Sequence, residues 1–312
     1  MLLFNFSLYI IAFILIWFGS GLIVSSTSKF SQKLRLSSFA FSFVFLGLLT
    51  STPEFSVGLQ AVANHEPSIF IGNLLGGIIV LFLVIIPLLA VLGNGISLKN
   101  ELDDKTTLAT LGVILAPSLF ILDKKVTNLE GVILIVLYIV LFILVEKKNG
   151  IFDRSNSQLL NIKAYSYKDI LKILVGIGLV FVASSIIVDK TIYFAELIKI
   201  SPFYISLLVI ALGTDLPEIT LVVRSVFSGK KDIAMGDYIG AGAASTLLFG
   251  IFTLLNQGEV LTVSNFIVTF VFISIALLFF YFFMHRTKYI SRANGILMLG
   301  FYILFIMFEL TR

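Results

Sequence analysis

Apolar runs of bilayer length recur along the whole chain, near 4–25, 36–63, 68–94, 106–122, 129–146, 169–188, 201–226, 233–256, 260–283 and 290–310. A helix needs roughly 20 apolar residues to cross a hydrocarbon layer. The pattern therefore predicts an all-α polytopic membrane protein with ten transmembrane helices. The fourth and fifth runs are short and cross with little tilt. No Lys or Arg precedes Lys29, so the first run lacks a signal peptide's basic flank and reads as a retained span. The longest polar stretch, Glu146 to Asp169, splits the spans five and five. The expected organisation is a first five-helix unit over 1–146, a linker over 147–168 and a second unit over 169–312.

The two units align without a gap at a constant offset of 164 residues. Ile23 and Val24 match Ile187 and Val188, and Phe30 matches Phe194. Ser37, Phe39 and Ser42 match Ser201, Phe203 and Ser206, and Thr50, Pro53 and Glu54 match Thr214, Pro217 and Glu218. Gly72 and Gly76 match Gly236 and Gly240. Apolar matches are cheap in such a chain, but Thr, Pro, Glu and Gly matches are not. One long fixed offset marks a duplicated unit rather than a solenoid. Five spans per unit is odd, so the second copy enters the membrane from the opposite side, as in inverted-repeat transporters.

The apolar pattern is broken at matching places. One is Leu48-Leu49-Thr50-Ser51-Thr52-Pro53-Glu54, the other Leu212-Gly213-Thr214-Asp215-Leu216-Pro217-Glu218. An acidic side chain at the bilayer centre costs ~3 kcal/mol or more, which makes an intramembrane Glu a functional candidate. Pro53 cannot donate a backbone N–H, so the Leu49 carbonyl is expected to turn free toward a cavity. Helices 2 and 7 are therefore expected to be broken where the charge sits. Thr50 and Glu54 share a helix face. The second break offers the Ala211 and Gly213 carbonyls, Thr214, Asp215 and Glu218. Facing carboxylates among neutral oxygens suit a hard cation, above all Ca2+. Spans three and eight carry Gly72-Asn73-Leu74-Leu75-Gly76 and Gly236-Asp237-Tyr238-Ile239-Gly240. Their glycines permit close helix packing, and Asn73 and Asp237 are candidates for a polar wall or a supporting layer.

Composition narrows the classes. The chain is 58% hydrophobic and 13% charged, outside the range of soluble domains. With no cysteine there is neither a disulfide nor a thiolate metal site. The net charge of +4 comes from residues between the spans, so it sets orientation and does not indicate nucleic acid. With the N-terminus outside, 17 of the 22 Lys/Arg fall on cytoplasmic loops, which predicts both termini outside. His65 and His285 lie in polar loops, and no Ser/His or His-Glu-x-x-His set supports an enzyme. No resident cofactor is expected.

The two Thr-x-x-Pro-Glu turns, each followed by Gly-Asn/Asp-x-x-Gly, resemble the alpha repeats of the sodium/calcium exchanger family, within the cation/Ca2+ antiporter superfamily. The resemblance spans most of the chain. It implies a secondary antiporter that exchanges Ca2+ for Na+, or for H+, by alternating access. It also implies Glu54 and Glu218 as central carboxylates, Thr50 and Thr214 as ligands through backbone and hydroxyl oxygens, and Ser51 in the motif's Ser position. Asp215 replaces the second Ser. The first turn lacks the motif's Gly, having Leu49. Family members place Ser where this chain has Gly77 and Ala241, and Asn or Asp where it has Leu81 and Ser245. Ser245 is thus at best a weaker polar group beside the site. These losses leave a second expectation, an uncoupled cation pathway or sensor that keeps the exchanger fold. A monomer in a prokaryotic plasma membrane is expected.

Overall fold

The computed structural model describes residues 2–31, 42–97, 104–149, 167–228, 231–256, 260–261 and 265–311. Among them, nine helices are long and apolar enough to cross a membrane, and one bent pair makes a tenth span. These are α1 (Leu2–Ser31), α2 (Ser42–Thr50 and Thr52–Ala63), α3 (Pro67–Leu92), α4 (Asp104–Asp123) and α5 (Asn128–Asn149). The second set is α6 (Tyr167–Ile198), α7 (Pro202–Phe227), α8 (Lys231–Leu255), α9 (Ile267–Thr287) and α10 (Arg292–Leu310). The expected linker falls mostly on residues outside those described, as does the start of the second expected span. α6 runs ten residues past its expected end at 188. Asp189 and Lys190 end the apolar run in the sequence, but the next turns pack on α1. There Tyr9 and Thr191 share a hydrogen bond of 2.9 Å, and Phe194 packs edge-on to Phe6.

The repeat is visible in the backbone. π-helical turns at Ser42–Leu46 and Ser206–Ile210 precede the two breaks at equivalent positions. Two short antiparallel ladders obey the same relation. β1 (Ile96–Ser97) pairs with β4 (Tyr289–Ile290), with Ile96 opposite Ile290. β2 (Lys125–Val126) pairs with β3 (Val260–Leu261), with Val126 opposite Val260. Shifting each strand by the repeat offset converts one ladder into the other. Following the chain through its spans puts the first ladder on the face that joins the repeats and the second on the face carrying both termini. That is the geometry of a pseudo-twofold axis lying in the membrane plane.

α3 and α8 form the centre. Their apolar windows are 83% and 78% buried inside the protein, against 28% for α5 and α6 and 22% for α10. α1 and α6 pack along each other at one flank, where a Cβ at Gly19 would lie 2.9 Å from the Gly176 carbonyl oxygen. The central helices touch the broken ones backbone to backbone. A Cβ on Gly47 would lie 2.5 Å from the Gly240 carbonyl carbon, and one on Gly240 would strike the Phe43 carbonyl. The second repeat copies this, with Gly72 and Gly76 against the carbonyls of Phe203 and Leu207. The small residues read from the sequence therefore serve close helix approach.

Replacing Gly240 or Gly76 with Val forces α8 from α2, or α3 from α7, and is expected to lower the melting temperature in detergent strongly or prevent folding. Gly300→Ala, with no atom of the described residues within 4 Å of the new methyl group, is expected to leave it unchanged. Thermal unfolding of the three variants checks this.

Candidate ion-binding site

Each break is built locally by its proline. The first half of α2 ends at Thr50, and Ser51 takes φ −73° and ψ 9° before the helix resumes at Thr52. In α7, Asp215 has nearly the same conformation, φ −82° and ψ 6°, before Leu216. Pro53 and Pro217 sit at the second position of the resumed helix, where a missing N–H costs little. Glu54 and Glu218 follow in its first turn, next to the positive end of the helix dipole. α2 bends by 46° at its break, whereas α7 stays straight enough to count as one span. One expectation is corrected. The Leu49 carbonyl is not free, because the Thr52 hydroxyl donates to it at 2.6 Å. Leu216 stands at the equivalent position in α7 and has no hydroxyl to do the same for Gly213.

The breaks and the central helices meet in one buried chamber. Thr50, Ser51, Glu54, Asn73, Thr214, Asp215, Glu218, Asp237 and Ser245 are all 5% exposed or less. Two hydrogen bonds cross between repeats at symmetric places. The Thr50 hydroxyl donates to Asp237 Oδ1 at 3.1 Å, and the Thr214 hydroxyl donates to Asn73 Oδ1 at 3.1 Å. Asn73 and Asp237 thus hold the two threonines in place across the repeat interface. Glu54 lies within electrostatic reach of Thr214, Asp215 and Asp237, all from the other repeat. The Ser51 hydroxyl donates to the Gly47 carbonyl at 2.7 Å and the Ser245 hydroxyl to the Ala241 carbonyl at 3.2 Å, both on their own helices. Their lone pairs remain available as acceptors. Sequence reasoning missed Tyr238, whose buried hydroxyl donates to the Glu218 carbonyl at 3.0 Å. Its repeat mate is Leu74, so the doubled pattern could not point to it.

The electrostatics are one-sided. Glu54, Asp215, Glu218 and Asp237 act on one another, and among the described residues no Lys, Arg or His acts on them. Glu54 Oε2, Asp215 Oδ2, Asp237 Oδ2 and both Glu218 carboxyl oxygens have no hydrogen-bond partner among the described residues. Buried acids without partners cost several kcal/mol each unless a positive charge joins them. Among the described residues no three acidic or histidine side chains converge on one point. A hard cation among these acids would therefore draw on hydroxyl and carbonyl oxygens as well as carboxylates.

A family model described as sodium/calcium exchanger protein matches residues 4–145 and 168–311. The chain belongs to this family. Sodium/calcium exchanger MaX1 of Methanosarcina acetivorans is 25% identical over 344 aligned residues, covering 97% of both chains. Inner membrane protein YrbG of Escherichia coli is 24% identical over 263 residues, 81% of each. A solved structure of the sodium-calcium exchanger NCX_Mj, soaked with Na+ and Sr2+, superposes with a TM-score of 0.73 at 23% identity. It covers 98% of this chain and 99% of that one. Family and fold are those of an integral membrane antiporter, with ten spans in two inverted five-helix repeats.

Thr50→Val and Thr214→Val each remove one cross-repeat bond. Thr50→Val is expected to cost ~1.5–3 kcal/mol because the acceptor is a carboxylate, and Thr214→Val ~0.5–1.5 kcal/mol because it is an amide. Reversible chemical denaturation in detergent, followed by tryptophan fluorescence at Trp17, checks the order.

Proposed function

We propose that this protein is a secondary active antiporter exchanging Ca2+ for Na+ across a prokaryotic plasma membrane, by alternating access, with both termini outside. H+ is the alternative counter-ion. The observation that carries the reading is the chamber of four buried acids with unpartnered oxygens and no basic side chain acting on them among the described residues. A hard divalent cation is the ligand that such oxygens favour. Glu54 and Glu218 are the central ligands, with Thr50, Thr214, Ser51 and Asp215 around them. Because Glu54 and Glu218 serve both cargoes, Ca2+ and the counter-ion exclude one another, and competition for the same carboxylates supplies the coupling. Membership of the sodium/calcium exchanger family supports both ions. The NCX_Mj structure, whose fold this chain shares, belongs to work on extracellular ion exchange and induced binding-site occlusion in that exchanger. The distribution of Lys and Arg supports the orientation.

A second reading follows from Gly77, Leu81 and Ala241, which bring no side-chain oxygen to the chamber: the protein conducts or senses cations without coupling.

Radiolabelled Ca2+ uptake into proteoliposomes separates the readings. Exchange predicts uptake driven by an outward Na+ gradient, or by an outward H+ gradient for the alternative, and its loss in Glu218→Gln. Flux that only follows the Ca2+ gradient, without counter-ion dependence, would establish the uncoupled reading instead.

A further inference from the structure

Two consecutive residues of α8 reach the two broken helices. Asp237 Oδ1 accepts the Thr50 hydroxyl of α2 at 3.1 Å, and the Tyr238 hydroxyl donates to the Glu218 carbonyl of α7 at 3.0 Å. Both residues are 0% exposed, and Tyr238 is among the largest fully buried side chains. α8 is thus bonded to the residue that precedes one break and to the first turn that follows the other. The repeat copies only half of this. Asn73 of α3 accepts the Thr214 hydroxyl at 3.1 Å, but the next residue is Leu74, which has no donor for the Glu54 carbonyl.

The two central acids are therefore held differently. Both carboxyl oxygens of Glu218 are without a hydrogen-bond partner among the described residues, whereas of Glu54 only Oε2 is. With no bond on its side chain, Glu218 is placed through its main chain. Pro217 sets where the helix restarts, and Tyr238 fixes that restart against α8. A carbonyl oxygen has two lone pairs, so the Glu218 carbonyl serves the helical ladder and the phenol together. The buried ring is out of reach of water, so the bond is not traded for hydration.

We propose that Tyr238 is a positioning residue that sets the spacing between the Glu54 and Glu218 halves of the ion site, and that it makes the site discriminate Ca2+ from the larger cations Sr2+ and Ba2+. The inference rests on the Ca2+ reading above. Discrimination among hard cations follows from cavity size, ligand number and flexibility. A larger ion needs its oxygens farther apart. Asp237 and Tyr238 stand side by side on one unbroken helix, so their two bonds hold the halves at one separation. Without the Tyr238 bond, Glu218 is free to withdraw. The site then holds Ca2+ less well and admits larger ions more readily.

The test is thermal stabilisation of the purified full chain by CaCl2, SrCl2 and BaCl2, against choline chloride at equal ionic strength. Ligand that binds only the folded state raises the melting temperature with concentration. Wild-type protein is expected to respond to Ca2+ at the lowest concentration. Tyr238→Phe keeps the ring, and the Glu218 carbonyl retains its place in the helical ladder, so no buried group is orphaned. This variant is expected to raise the half-maximal Ca2+ concentration ~3–10-fold, the worth of one hydrogen bond. Its Ba2+ midpoint is expected to move by less than about two-fold, because a larger ion does not depend on the tighter spacing. Tyr9→Phe removes the same atom from the buried bond between Tyr9 and Thr191 on the flank. It is expected to lower the melting temperature of the ion-free protein and leave the ratio of Ca2+ to Ba2+ midpoints unchanged. An unchanged ratio in Tyr238→Phe, or an equal change of ratio in Tyr9→Phe, overturns the proposal. So does wild-type protein that responds to Ca2+ and Ba2+ at equal concentrations, a result that does not depend on how the variants fold. Wild-type protein stabilised by none of the three cations removes the Ca2+ reading itself.

Discussion

Four acidic side chains buried in the middle of a membrane protein, with no base among the described residues acting on them, are the constraint on which this architecture turns. Such groups are tolerated only where polar atoms and a cation can surround them. Continuous helices cannot supply that environment, because their carbonyls are committed to the i to i−4 ladder. A proline in each of α2 and α7 interrupts the ladder at the required depth. It also starts a new helix whose positive end lies beside Glu54 or Glu218. The same residue thus breaks the helix and places the acid in a favourable field.

Packing and chemistry then depend on the same glycines. The Thr50–Asp237 and Thr214–Asn73 bonds span helices from opposite repeats, and short side chains meet across an interface most readily where the backbones approach closely. They reach because Gly240 lets α8 lie on the backbone of α2, and Gly76 lets α3 lie on that of α7. A larger residue at either glycine would therefore alter the ion chamber as well as the helix contact. The flank formed by α1 and α6 backs this arrangement. α6 packs along the second half of α2, with Phe181 edge-on to Phe55, and α1 meets α7 through Phe13 on Gly213 and the 2.7 Å bond from Trp17 Nε1 to the Thr220 hydroxyl.

Most of the fold is legible in the sequence because its signals are local and doubled. Ten apolar runs, two Pro-Glu turns and a gapless offset specify spans, breaks and inversion with no three-dimensional information. The partnerships are not legible. Thr50 and Thr214 read as ligands and Asn73 and Asp237 as wall residues, but their pairing joins positions 187 and 141 residues apart, which periodicity does not encode. The Leu49 carbonyl departs from expectation because the proline rule takes no account of neighbouring side chains, and here the Thr52 hydroxyl satisfies the carbonyl. Tyr238 stays hidden for another reason. A tyrosine in a lipid-length run reads as ordinary packing until a neighbouring helix places its hydroxyl.

The departures from symmetry carry as much chemical meaning as the symmetry itself. An inverted repeat that was perfect would give the chamber identical halves, with equal affinity toward both faces of the membrane. Here α2 bends by 46° while α7 still counts as one span, Thr52 occupies a carbonyl that Leu216 cannot, and Ser51 is neutral where Asp215 is acidic. The π-helical turn at Leu81–Ile85 has no counterpart in α8, which is α-helical from Lys231 to Leu255. These differences fall on both pairings, with the bend and the Thr52 bond on α2, the π-helical turn on α3 and an added acid on α7. An extra carboxylate on one side means that a bound cation is held unequally by the two halves, whatever the cation is. Asp215 and Asp237, acidic where the first repeat has Ser51 and Asn73, are therefore the positions at which the two halves of the site differ in charge.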